Sequence, residues 1–421
     1  MGYIGNRPTA VPLTSADIQD GVITAADLGA NSVDSSELVD GSIDTSHIGA
    51  AQVTADKTSG VIRPNAQALI INGNCAISQR STSVASITGS GYHTIDRYRT
   101  GFSGTLGTWT QSQSTDVPTG KGFANSLKMD CTTADASPSV GDRLSIRYNF
   151  EGQDLQLLKK GTADAEKITL AFWIKSSKTG VHIVNIVDQD NTRNISKSYT
   201  VSSADTWEQV VLNFDGDTTG ALGDDNGQSL YVDFYFGAGT NYTSGTLATS
   251  WEAVNNVDIA VGQVNLADST SNDFLFTGVQ LEVGEYTSST LPPFQHESYG
   301  DNLRRCQRYF YKLGGTTDTY KRLSVNFCNP SNRNQTLGLH HLPVPMRTAQ
   351  TVTIPSASDF AVGHLGGSNA CSSVTINNDG ALPNNALLSC LAITGSNAST
   401  DCVMLEMTYA STNTMEVSAE L

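Results

Sequence analysis

Few residues in this chain have types and spacings that could do chemistry. His340 and His341 are the most conspicuous pair. Neighbours on a strand point to opposite faces, so the two could not readily chelate one ion together. A metal would need one histidine from each of several chains around an axis, and ordinary surface or core histidines are the plainer reading. Asp215, Asp217, Asp224 and Asp225 cluster in FDGDTTGALGDDNG. Oxygen-rich loops can hold calcium, so these four are the candidate ligands and structural calcium is the one candidate cofactor. Their spacing matches no EF-hand, and Asp-Gly and Asn-Gly are good turn formers, which favours a plain turn.

The aromatic residues suggest binding rather than reaction. Trp109 and Trp251 lie in Gly/Ser/Thr-rich surroundings, with Tyr92 and Tyr242 in comparable loops. Exposed aromatic faces are what sugar rings stack on, while amides, carboxylates and guanidinium groups bond the hydroxyls. These four are the candidate glycan-binding residues. Trp173 and Trp207 sit inside strand patterns and are expected to be core or packing residues. No GxSxG, Walker loop or HExxH occurs, and the chain lacks the long coil repeats of a right-handed parallel β-helix depolymerase. No catalytic residue and no enzyme activity are expected, although scattered carboxylates leave a hidden hydrolytic pair open.

The elements that must position these groups read as strands. Ile168, Leu170, Phe172 and Ile174 alternate with Thr169, Ala171, Trp173 and Lys175; Leu230, Val232, Phe234 and Phe236 alternate with Tyr231, Asp233 and Tyr235. A period of two with turn clusters between (SSKTG, DGDTTG, GDDNG, GAGTN) predicts an all-β sandwich or jelly roll. Composition agrees: 421 residues, 38% apolar, 16% charged and 38 glycines suit loop-rich β modules. A formal net charge of −16 argues against nucleic acid as a partner. No run reaches the ~20 apolar residues of a membrane span, so membrane insertion is not expected. The start, MGYIGNRPTAVPLT, has neither a basic nor an apolar signal region, so secretion by a signal is not expected either. Seven scattered cysteines without CxxC suggest buried thiols in a reducing compartment.

Residues 15–60 contain a ten-residue repeat: GVITAADLGA, NSVDSSELVD, GSIDTSHIGA, AQVTADKTSG. Ile23, Val33, Ile43 and Val53 share one phase, and Ile18, Leu28, Leu38 and Ile48 another, five residues away. Neither a helix nor a straight strand buries both sets, so the chain must turn within each repeat. One reading is a coil of a quadrilateral β-solenoid, suggested by the small residue two places before each apolar one. The other is a thin stalk of parallel chains whose apolar residues meet on a common axis. Such a short array favours the stalk. A homotrimer is expected, held by these eight apolar residues.

Three stretches resemble known phage proteins. Gly2-Tyr3-Ile4-Gly5-Asn6 followed by Pro8 resembles the leader of some bacteriophage tail fibres, and the decapeptide repeat resembles repeats found behind such leaders. INGN…QR, DRYR, AFWIKSS, Trp207 and TGVQLEVG…PFQHESYGDNLRRCQRYFYKL, over about 69–313, resemble a module of phage tail proteins that is similar to carbohydrate-binding jelly rolls. The pattern departs at Cys75-Ala76-Ile77-Ser78, so no ligand role is carried over there. LPVPMR and the closing Ser-Ala-Glu-Leu resemble the domain that follows this module.

The resemblance implies five parts: 1–14 a virion-attachment leader (Tyr3, Ile4, Asn6, Pro8), 15–60 the oligomerisation stalk and 65–297 a jelly-roll carbohydrate-binding-like domain. A connector follows at 298–313, a helical turn capped by Asp301, and 314–421 form a small C-terminal β-sandwich tip. It further implies a trimeric tail fibre, made in the host cytoplasm and residing in the virion tail. Its expected partners are a tail adaptor, nozzle or hub protein and host surface polysaccharide. A purely structural collar or capsid fibre and a depolymerase tailspike are the alternatives.

Overall fold

The computed structural model describes residues 67–421 apart from 315–320, 330–331, 355, 365–366, 378–385, 394–401 and 408–413, together with Gln19, Val22, Thr24, Ala26 and Asp27. By its contacts the chain divides into Met1–Val61 and Ile62–Leu421. Tyr3, Ile4, Asn6 and Pro8, and the eight apolar repeat residues Ile18, Ile23, Leu28, Val33, Leu38, Ile43, Ile48 and Val53, lie outside the described residues. In the first unit the Thr24 N–H and hydroxyl both donate to the Asp27 carboxylate, at 2.9 and 2.6 Å, across one turn.

The second unit begins with a β-sandwich. Its strands are β1 (Ser83–Ile87), β2 (Gly91–Tyr92), β3 (Tyr98–Ser103), β4 (Thr108–Ser114), β5 (Ser126–Thr133), β6 (Arg143–Glu151), β7 (Ile168–Ser176), β8 (Gly180–Asp188), β9 (Arg193–Val201), β10 (Glu208–Phe214), β11 (Gln228–Ala238), β12 (Glu252–Ala253) and β13 (Asp273–Val283), with helix α1 (Thr240–Thr243) after β11. They form a six-stranded sheet, β1-β4-β5-β13-β7-β10, and a seven-stranded sheet, β12-β9-β8-β11-β6-β3-β2. The alternation dictates the packing, as expected of a jelly roll: Leu170, Phe172 and Ile174 of β7 face Val232, Phe234 and Phe236 of β11 across one continuous core. Phe172 meets Phe234 edge-on at 5.1 Å, and Phe236 meets Trp109 at 5.8 Å and 80°.

Strand β13 slips by one residue between Thr277 and Gln280 in its pairing with β7. Ahead of the slip Phe274 and Phe276 face the core; after it Val279 and Leu281 do. Gly278, with φ +63, absorbs the extra residue as a β-bulge. The bulge keeps four apolar side chains inside although their spacing breaks the period of two, and it turns Gln280 to the outer face.

Helix α2 (Tyr299–Gln307) then leads to β14 (Phe310–Gly314). Its cap is Ser298 rather than the expected Asp301: the Ser298 hydroxyl accepts from the Asp301 N–H at 3.2 Å and donates to the Asp301 carboxylate at 2.6 Å. Asp301 is thus the acidic partner three places on, where it also faces the positive end of the helix. The last module contains β15 (Lys321–Asn329), β16 (Asn332–His341), β17 (Thr351–Thr353), β18 (Phe360–His364), β19 (Gly367–Asn377), β20 (Ala386–Ile393), β21 (Cys402–Met407) and β22 (Thr414–Ser418). It is all-β, as expected. Its main sheet closes into a barrel, β15-β16-β20-β19-β18-β21, instead of stacking as a small sandwich. Strand β15 pairs with both β16 and β21, so no edge is left to form a second layer. Beside it β14, β22 and β17 make a three-stranded sheet.

A buried charge cluster fastens this part to the sandwich. Glu420 pairs with Arg97 at 2.9 Å and Arg80 at 3.1 Å, and the Arg97 guanidinium lies 3.4 Å from the Tyr309 ring centre. Arg308 pairs with Glu151 at 2.7 Å. The Arg97 side chain is 1% exposed, so losing one partner would strand a charge, at a cost of ~3–5 kcal/mol.

His182 tests the core. It faces inward on β8, is fully buried and stacks on Tyr199 at 5.5 Å. Burial lowers its pKa from 6.5 to about 4. Between those values the unfolded chain binds the proton and the folded chain does not, so the contribution is intact above pH 6.5 and is lost as pH falls towards 4. The loss is on the order of 3 kcal/mol. Urea midpoints should therefore fall on acidification from neutrality, and His182→Gln should flatten that slope. An unchanged slope would contradict a buried neutral imidazole.

Candidate functional site

The four aromatic residues expected to contact sugar are not brought together. Trp109 is fully buried, and its Nε1–H donates to the Leu106 carbonyl at 2.7 Å; as an inward residue of β4 it belongs to the core. Trp251 is half-buried, its Nε1–H donating to the Asp215 carbonyl at 2.7 Å and its ring 5.3 Å from the Lys160 ammonium. The Tyr92 hydroxyl donates to the Leu421 carbonyl at 3.0 Å and accepts from Asn149 Nδ2 at 3.1 Å; burial pushes its pKa well up. Tyr242 hydrogen-bonds Ser103 at 3.3 Å, stacks under Arg143 at 4.9 Å and packs against the outer face of the seven-stranded sheet. Trp109 is thus a core residue, and the other three lie in separate places on the sandwich. Cys75 and Ile77, in the departing stretch, are fully buried.

The acidic cluster does not converge on one point. Asp217 turns inward and pairs with Lys160 at 3.0 Å and Arg193 at 2.8 Å. Burial works to raise its pKa, but the hydrogen bonds from Arg193 and Lys160 outweigh it and hold the carboxyl below its usual range. Asp225 accepts from the Gly227 N–H at 2.7 Å as a turn does, while Asp215 and Asp224 are exposed. The one buried carboxylate of the four already has two cations. Among the described residues no group of three or more His, Cys, Asp and Glu could hold a metal ion. His340 and His341 are neighbours on β16, opposite Leu387 and Ala386.

What the fold does assemble is a cleft on the outer face of the six-stranded sheet. Trp173, expected as a core or packing residue, is an outward residue of β7 and is half-buried. Its cross-strand neighbours are Gln209 on β10 and Thr277 on β13, and Gln280 lies opposite Ala171 in the next step. Two segments wall this floor, one carrying Lys121 and Phe123 and the other Ser288, Leu291, Pro292, Pro293 and Phe294. Together they enclose about 200 Å³.

The walls are built from the same bulge that sets the floor. Phe123 seats over Gly278, where an added Cβ would come within 2.5 Å of its ring. Phe123 meets Phe294 edge-on at 5.1 Å, and His296 lies 4.9 Å from Phe294. Gln280 Nε2 donates to the Pro292 carbonyl at 3.1 Å, tying wall to floor. The Lys121 ammonium stands 5.2 Å from the Trp173 ring centre. Two residues along β7 from Trp173, Lys175 Nζ donates to Asp116 at 2.7 Å, and Asp116 also accepts from Trp207 Nε1 at 2.9 Å. Trp207 is half-buried.

Chemically this is an aromatic plate flanked by amides and one ammonium. The lining holds no carboxylate, histidine or cysteine. Its volume is below the ~300–1,000 Å³ of sites that engulf a small molecule, and suits one ring of a longer chain lying across it. The signal for Trp173 was present in the sequence, since the alternation of β7 puts Trp173 and Lys175 on the side away from Phe172.

No protein-family model matches the chain, and no curated protein does. Among solved structures, the enzymatically active domain of bacteriophage CBA120 tailspike protein 4 aligns at 14% identity and a TM-score of 0.27, covering 51% of this chain and 21% of that one. A putative sugar-binding protein from Bacteroides thetaiotaomicron aligns at 14% identity and 0.29, covering 52% of this chain and 100% of its own. The family 11 carbohydrate-binding module of a Clostridium thermocellum cellulosomal cellulase aligns at 13% and 0.23, covering 48% and 99%. The chain thus spans about a fifth of the tailspike chain's length. At these TM-scores the likenesses carry no argument about a ligand.

Gly278 can be tested directly. With φ +63 and Phe123 above it, Gly278→Ala should cost ~1–3 kcal/mol and displace Phe123 from the cleft. Thermal unfolding and the emission of Trp173 report the two effects. A variant with unchanged melting and emission would show that the bulge does not need glycine.

Proposed function

We propose that this chain is a bacteriophage tail fibre that recognises host surface glycans without cleaving them. One observation carries the glycan reading: Trp173 presents a half-buried ring on a sheet face, between apolar walls and beside Gln209, Gln280 and Lys121. A sugar ring offers an apolar face and a rim of hydroxyls, and this surface complements both. Non-enzymatic action fits a lining without a carboxylate, since glycoside hydrolysis uses a pair of them.

The virion assignment rests on the leader (Tyr3, Ile4, Asn6, Pro8) and the ten-residue repeat behind it. In this reading the leader attaches to a tail adaptor, nozzle or hub protein, and the repeat holds three chains in parallel. A single shallow cleft binds weakly, and a trimer recovers affinity by presenting three. Synthesis is in the host cytoplasm, and the working location is the virion tail.

Two experiments test this. On glycan arrays the full chain should be retained on bacterial surface polysaccharides, and Trp173→Ala should weaken retention at least about tenfold, a loss of ~1.4 kcal/mol, at unchanged melting temperature. Retention equal to wild type would remove the cleft as the site, and a polysaccharide shortened on incubation would make the protein a depolymerase. Separately, Leu28→Asp with Leu38→Asp should dissociate the oligomer in sedimentation analysis while the circular dichroism of the β modules stays unchanged. Chains that stay together would place the association in the distal modules.

A further inference from the structure

The charge of the cleft singles out a class of sugar. The chain carries 41 acidic residues against 25 basic ones, and its lysines are mostly neutralised in place. Lys128, Lys159, Lys160, Lys167, Lys175 and Lys178 each have a carboxylate within 4.0 Å. Lys175, on the same sheet face as Trp173, is matched by Asp116. Lys121 differs from these. Among the described residues it has no carboxylate within 4.0 Å, and its ammonium is held over the Trp173 ring at 5.2 Å. None of the residues lining the cleft is acidic.

In a protein of net charge −16, the described residues lining this concave surface include one unmatched cation and no anion. The surrounding negative charge would repel an anionic polymer less there than over the acidic surface. Lys121 lies over the plate on which a ring would stack, so a stacking ring displaces the ammonium to its own edge. A carboxylate on the rim of that ring would reach the ammonium without leaving the aromatic face. The Gln209 amide remains for its hydroxyls, as it would for any sugar, while Gln280 is already bonded to the Pro292 carbonyl.

We infer that the Trp173 cleft selects an acidic glycan, with Lys121 pairing the carboxylate of a uronic-type sugar stacked on Trp173. This rests on the glycan-binding reading and adds the class of sugar. An exposed charge pair is modest and falls with salt, so the effect belongs to specificity more than to affinity.

Biolayer interferometry of the full chain on immobilised polygalacturonate, alginate and hyaluronate, each beside its carboxyl-reduced form, tests it, with dextran and mannan as neutral probes and a phosphorylated mannan as the other anion. At least one uronic polymer should bind about tenfold tighter than its reduced form, and raising salt from 50 to 500 mM should erase the difference. Lys121→Met, which keeps an apolar stem over Trp173, should bring the acidic polymer down to the reduced one, and Lys121→Arg should retain the preference. If reduced or neutral polymers bind as well as acidic ones, and Trp173→Ala abolishes both, the glycan reading stands and the acidic selectivity is wrong. Preference for the phosphorylated mannan alone also overturns the carboxylate assignment. Should none of these glycans be retained, both readings fail together.

Discussion

A strand in a sandwich has two faces and a period of two, and β13 breaks that period once. The one-residue slip at Gly278 keeps Phe274, Phe276, Val279 and Leu281 all in the core while Gln280 turns outward. Without it, either the second pair of apolar residues or the first would face water, at roughly 1.5–3 kcal/mol per side chain. The slip also leaves a position with no side chain, into which Phe123 settles. Core packing and cleft construction are therefore one event. The floor exists because the strand turned over, and a wall stands over it because the turning point is glycine.

The other dependence is electrostatic. The sandwich and the last module meet at charges that neither could bury alone: Arg97 and Arg80 from the sandwich, Glu420 from beyond the barrel, and Glu151 answered by Arg308. Tyr309 lies against Arg97, and its neighbour Phe310 lies under Arg80 at 3.6 Å, so the cations are covered by aromatic faces as well as paired. Buried pairs of this kind contribute more to a single arrangement than to net stability. Here they fix the sandwich against the three-stranded sheet at a side of the molecule that does not line the Trp173 cleft.

Much of this was legible in the chain. Alternation in β7 and β11 placed the core and the all-β class, because burial of one sheet face imposes a period of two whatever the partner strands are. The barrel was not legible, since closure depends on which strands pair over long separations, and short Asn/Ser/Thr-rich strands do not carry that information. The site was half legible. Trp173 lay on the outward phase of its strand in plain view, while Trp109 sat among small residues and yet packs fully inside. Composition around an aromatic says little about its exposure; its phase on the strand says more. Ser298 and Asp301 show the same at short range, where the spacing of a capping box was present but the roles within it were reversed.

The account stands or falls on where a sugar sits. A crystal structure of the full chain with a bound hexasaccharide measures that most directly. The expected result is a pyranose ring stacked on Trp173, its hydroxyls bonded to Gln209 and its chain running out between Phe123 and the Pro292–Pro293 wall. A saccharide seated instead on the seven-stranded sheet near Tyr242, or on the closing barrel, with the Trp173 cleft empty, would contradict it.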